Sequence, residues 1–187
     1  ACAVPKTAAP VPSPSATAAP TLSPVDYLAT GGGEPRSAGY WLLWNTCAEG
    51  NQSQTAIDNG GRAAGWILLD DLLVSPGILV GRVGLSGCQP AVNLLLGMTV
   101  TGEAAPEGDL AYPLAAQLLA AQLNLAASSY SCTAADQAVQ KAQLLLVTAD
   151  FRGAGAALGA ESPADQREAA AALADQLAAF NTGGLCK

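Results

Sequence analysis

LAYPLAAQLLAAQLNLAAS, residues 110–128, is the stretch that decides what kind of molecule this chain makes. Leu114, Leu118, Ala121 and Leu125 recur at i, i+4, i+7 and i+11, which places them on one face of a helix. The segments on either side read the same way. CQPAVNLLLG (88–97) predicts a short helix, with Pro90 suited to a first turn and Gly97 to the C′ position. Thr133 and Asp136 have the spacing of a capping box and predict a helix running to about Asp150. Ala135, Ala138, Val139, Ala142, Leu145, Leu146 and Ala149 would face inward, and Gly153 would end it. A last helix is expected with Ser162 as N-cap, Pro163 at N1, Asp165 and Glu168 near the positive end of its dipole, and Leu173, Leu177 and Phe180 as its apolar stripe. Gly183 stops it just before Cys186.

Elsewhere the pattern is less regular. GRAAGWILLDDLLVSPG (61–77) fits a helix ended by Pro76-Gly77, while GILVGRVGL (77–85) reads as a short strand or an extended connection. VDYLAT (25–30) has the composition of a short strand before GGGEP breaks the chain. The fold class expected is therefore mainly α: a disulfide-stapled helical domain with at most a short strand or two, and an extended N-terminal arm. Because the helices are rich in alanine, which buries little area, the aromatic residues and cystines must supply a disproportionate share of the stability.

The arm is a compositional unit. Residues 1–36 are dominated by Ala, Pro, Ser and Thr, which favours extended chain and cannot build a packed core. Two segments follow: 1–36 as arm or linker and 37–187 as helical domain. The 187 residues, half of them apolar, are enough for one sizeable core, since a domain of ~150 residues buries roughly 70% of its unfolded surface.

Charge and residue usage exclude several functions. Eight basic residues against 15 acidic ones give a net charge of −7, and the basic residues are scattered. Nucleic acid and anionic membrane surfaces both require a clustered positive field. The chain has no histidine, the usual general base at neutral pH and the usual metal ligand, so catalysis is the least favoured class and no cofactor or metal is expected. No apolar run reaches the ~18 residues of a spanning helix, because Asp70 and Asp71 divide one run and Arg82 another. No leader segment is recognised at the start of the sequence. The five cysteines, at 2, 47, 88, 132 and 186, form no C-x-x-C pair, and their wide spacing reads as disulfides made in an oxidising compartment.

The remaining motifs have plain readings. Asp70 and Asp71 are adjacent, so on a helix they point about 100° apart and do not converge on one substrate atom. GLSGC (84–88) superficially resembles a nucleophile elbow, with its second glycine misplaced and no histidine to activate Ser86. DNGG (58–61) lacks the ligands of a calcium loop and reads as a turn. Asn51-Gln52-Ser53 fits a glycosylation pattern that is common by chance.

SAGYWLLWNTC (37–47) is the densest aromatic segment. Three readings apply: core packing, a contact between subunits, and stacking on sugar rings, in that order of preference. A lectin-like site usually adds clustered polar residues, and this stretch offers Asn45 and Thr46. GYW-x-x-W-x-x-C (39–47), GNQ (50–52), CQPAVNLLL (88–96), LAAQLLAAQLNLAA (114–127) and FNTGGLC (180–186) together resemble a group of poorly characterised bacterial secreted and cell-surface domains. Those domains open with a Gly-Tyr-Trp-Lys-Asn-Trp stretch, close with Tyr-Asn-x-Gly and a cysteine, and often sit at the C-terminal end of large extracellular proteins. The resemblance spans roughly 39–186. It implies an extracellular helical domain without an assigned activity.

This chain departs from that pattern at Leu42 and Leu43, which replace the polar pair, and at Phe180, which replaces Tyr. Two leucines between tryptophans suggest that the outer side of the segment is covered too, so Leu42 and Leu43 are the candidate subunit contact. Tyr40, Trp41 and Trp44 are the expected fold anchor in the core. Four cysteines in the matched region allow three connectivities; the expected one is Cys47–Cys88 with Cys132–Cys186, each worth ~3–4 kcal/mol. Cys2 is then free, lipidated or bonded to another chain. A mature lipoprotein would begin at the cysteine itself, and here Ala1 precedes it.

The function expected is a non-enzymatic extracellular or cell-surface structural protein, a homo-oligomeric subunit of a filament or surface layer whose arm docks on neighbouring copies. Glycans on the arm are a permitted addition. The alternative is a surface-tethered adhesin or carbohydrate-binding module with the arm as spacer.

Overall fold

The computed structural model describes residues 33–73, 77–127 and 129–186. Seven α-helices and one hairpin follow in order: α1 (Ala38–Leu43), α2 (Ser53–Asp58), a 3₁₀ turn (Gly61–Ala64), α3 (Leu69–Leu72), β1 (Ile78–Val80), β2 (Val83–Leu85), α4 (Cys88–Leu95), α5 (Ala111–Ala126), α6 (Thr133–Thr148) and α7 (Ala164–Asn181). The class is mainly helical and disulfide-stapled, as expected, with one antiparallel two-stranded sheet among the described residues. The arm up to residue 32, with Cys2 and the VDYLAT strand expectation, lies outside the described residues.

α5 is the hub. Leu114, Leu118, Leu119, Leu123 and the alanines at 115, 120 and 121 are fully buried, so apolar side chains cover most of its circumference. A helix buried on so many sides needs neighbours on each, and α1, α3, α4, α6, α7 and β1 all pack on it. The small alanines let those neighbours approach closely. α7 brings Ala170, Leu173, Leu177 and Phe180 to the same core, and α6 brings Ala135, Ala138, Ala142 and Leu146, as their periodicity predicts.

The hairpin pairs Ile78 with Leu85 and Val80 with Val83. Gly81 turns it at φ 59°, where a Cβ would meet the Phe151 carbonyl oxygen at 3.0 Å and Leu146, so the turn is pressed onto the end of α6. Gln143 fixes that turn by accepting from the Gly81 amide and donating to its carbonyl.

Several local expectations need correction. The segment 61–77 is not one helix: Gly60, Gly61 and Gly65 all take positive φ, so the chain makes a 3₁₀ turn and then the single-turn α3. Thr133 is not a cap but the first residue of α6, and Asp136 accepts from the Ser131 hydroxyl instead. α6 ends at Thr148, earlier than expected, because Asp150 itself takes the left-handed conformation at φ 54°. Ser162 does not cap α7; its hydroxyl donates to the Ala157 carbonyl, and Pro163 occupies the N-cap position.

Candidate functional site

The helical pitch of α1 sorts the aromatic segment. Ser37 caps the helix by accepting from the Tyr40 amide. Tyr40 and Trp44 then lie four residues apart on one side, while Trp41 is turned about 100° from Tyr40 and goes into the core. Trp41 is fully buried. Tyr40 and Trp44 are only half-buried; of the expected three-residue core anchor, Trp41 lies in the core, Tyr40 packs against its edge, and Trp44 stands outside it.

The other two rings build a ladder. Tyr40 stacks on Trp44 at 5.7 Å between centroids and 24° between planes, and Trp44 stacks on Trp66 at 4.7 Å and 22°. The Arg36 guanidinium stands 5.2 Å from the Tyr40 centroid, a cation–π contact that extends the ladder to four members. Trp66 had no place in the aromatic segment read from sequence, because 22 positions separate it from Trp44. Rings that spend their faces on one another make a poor platform for sugars. Leu42 and Leu43 divide as well: Leu42 packs on this chain's own core, while Leu43 is 47% exposed.

Behind the ladder lies a buried amide network that sequence reasoning missed. Asn124, fully buried on α5, accepts from the Arg36 amide (2.8 Å) and the Trp41 indole (3.3 Å), and donates to the Arg36 carbonyl (2.8 Å) and to Asn181 (3.0 Å). Asn181 on α7 in turn donates to the Gln117 carbonyl and side chain. The network fixes the root of the arm. Pro35 is buried, and Gly33 makes a parallel bridge to Ser129 and accepts from the Tyr130 amide. The one available signal was an asparagine inside the apolar run LNL.

Other buried polar groups also hold backbone. Asn45 donates to the Trp41 and Leu42 carbonyls and accepts from the amides of Cys47 and Ala48, tying off α1. Asp109 accepts from the amides of Ala111, Ala157 and Leu158, joining the start of α5 to the loop before α7. Asp70 accepts from the Thr46 amide and hydroxyl, and Asp71 from the Leu68 amide, so the two carboxylates serve different segments. Ser86 is exposed on the turn between β2 and α4, and DNGG is the turn that ends α2. Asn51 donates to the Ala48 carbonyl and accepts from Ser53, so its amide is engaged in a local turn.

Cys47 is bonded to Cys88 and Cys132 to Cys186, which is the pairing expected from sequence. The first ties the aromatic segment to the start of α4, the second the start of α6 to the end of the chain. Among the described residues no cluster of acidic or cysteine side chains has the arrangement of a metal site, and no helix is long and apolar enough to cross a membrane.

The described residues also form a concave surface. A groove of about 390 Å³ runs between the end of α4 and the facing sides of α5 and α7, lined by Leu95, Leu96, Pro113, Ala116, Ala174 and Ala178. Its polar lining is Gln117 and Asp175. In comparison with known proteins, no family model, no curated protein and no solved structure matches the chain.

Proposed function

We propose that this chain is a non-enzymatic structural module of the bacterial cell surface or medium, a subunit of a filament or surface layer whose N-terminal arm, residues 1–36, docks on neighbouring copies. The observation that carries the reading is the locked arm root. Asn124 holds both backbone groups of Arg36, so an arm of extended, core-less composition leaves the domain from a fixed point. A spacer needs no such fixing. The two disulfides are compatible with an extracellular setting, and the buried polar groups described above are committed to holding loops and helix ends. Leu43, exposed beside the ladder, is the better placed of the two leucines to meet a neighbour.

The alternative, an adhesin or carbohydrate-binding module, has less support because the ladder rings occupy one another's faces. Size-exclusion chromatography of the full chain and of a variant lacking residues 1–30 separates the outcomes. Assembly lost on truncation is expected. Two monomers would end the assembly reading, and specific glycan binding abolished by Trp44→Ala in a folded protein would favour the alternative.

A further inference from the structure

We infer that the groove between α4, α5 and α7 is the receptor for the arm of a second copy, and that residues 4–12, VPKTAAPVP, are the segment that fills it. This rests on the assembly reading above and adds its acceptor site.

The groove suits that segment in the chemistry of its lining and in charge. Apart from Gln117 and Asp175 its lining is Leu, Ala, Pro and Gly, with Leu96 at 55% exposure, which leaves apolar surface for the short Val, Ala and Pro side chains of the arm. Proline-rich chain docks at low entropic cost because φ is already set. Asp175 is the one charged residue on the groove, and no ion pair among the described residues engages it. Lys6 is the one basic residue in the first 32 positions. Seating 4–12 places the only basic side chain of residues 1–32 where the only charge of the groove is negative.

The direction of the arm argues for a second copy. Arg36 sits level with Asn124, and Gly33 level with Ser129, so from Arg36 back to Gly33 the chain runs toward and past the C-terminal end of α5. The groove lies on the other half of α5, at Pro113, Ala116 and Gln117, about 14 Å back along the axis at 1.5 Å per residue. A chain docking on its own domain must reverse. A neighbour placed beyond the C-terminal end of α5 presents its groove directly. Donor and acceptor at opposite ends of one helix make a head-to-tail contact, which propagates as an open filament unless the rotation closes it.

The test is sedimentation velocity over a concentration series, in a Cys2→Ser background so that no disulfide at that position contributes. Lys6→Asp and Asp175→Lys are each expected to raise the half-assembly concentration roughly five- to tenfold, as reversal of a surface pair allows. The double variant restores it. Ala178→Trp, which fills the groove, abolishes assembly, and near-ultraviolet circular dichroism checks that it stays folded. Monomers at every concentration for the parent chain would overturn both this inference and the assembly reading. Assembly unchanged by Asp175→Lys and Ala178→Trp would leave the assembly reading standing and remove the groove as acceptor.

Discussion

Asn124 makes four hydrogen bonds from one buried amide, to both backbone groups of Arg36, the Trp41 indole and the Asn181 side chain. Asn124→Ala is expected to destabilise the domain by about 3 kcal/mol, measured by urea unfolding, because buried groups left unpaired cost more than the net value of the bonds they made. The Arg36 amide should lose its protection from hydrogen exchange in the same variant. Tyr112 offers a second residue-scale test. Burial, and then the nearby Asp109 charge, raise its phenol above the ordinary value, and its hydroxyl donates to the Gly155 carbonyl. With the folded value raised, the neutral phenol's contribution is full below ~10, the unfolded value, and is lost as pH rises through the folded value. Stability measured against pH should therefore fall above ~10, and Tyr112→Phe should flatten that limb.

At the scale of elements, α4 and the long helices α5, α6 and α7 were legible, and the single-turn elements before the hairpin were not. α5, α6 and α7 carry enough turns for a 3.6-residue period to declare itself, and Gly97 follows α4 where a C′ glycine was expected, at φ 73°. Residues 61–72 contain one turn of 3₁₀ and one of α, too short for any period, and their glycines are read correctly only when the backbone is seen. Caps failed for a related reason: Ser162 and Thr133 have the right chemistry, but each is one residue from the position it would need. The ladder was half visible, since Tyr40 and Trp44 share a helix face while Trp66 arrives through the fold.

The alanine-rich faces of α5 also set how little slack the core has. Ala120→Leu is expected to cost 1–3 kcal/mol by calorimetry, since α5 is enclosed there and extra methylenes force its neighbours apart. The Cys47–Cys88 bridge closes a separation of 41 residues, so Cys47→Ser with Cys88→Ser should lower stability by about 4 kcal/mol in denaturant unfolding.

For the whole molecule, the described residues form a stapled helical body, preceded in sequence by a stretch whose Pro-, Ala-, Ser- and Thr-rich composition offers no core. The body gathers its stability around α5, and the same helix carries the arm root at one end and the groove at the other. Composition alone divides the sequence into arm and body, and the spacing of the cysteines suggests the two disulfides that form. Neither pointed to the proposed acceptor, because the groove is made by residues from 95 to 178 that have no common motif. Zero-length carbodiimide cross-linking of a mixture of unlabelled and nitrogen-15-labelled chains tests the claim most directly, since it couples the Lys6 amine to a carboxylate in contact with it. Cross-linked Lys6–Asp175 peptide pairs that combine one light and one heavy partner are the expected result. Lys6–Asp175 pairs found only within one isotope, or none at all at concentrations where the chain assembles, would contradict an arm shared between copies.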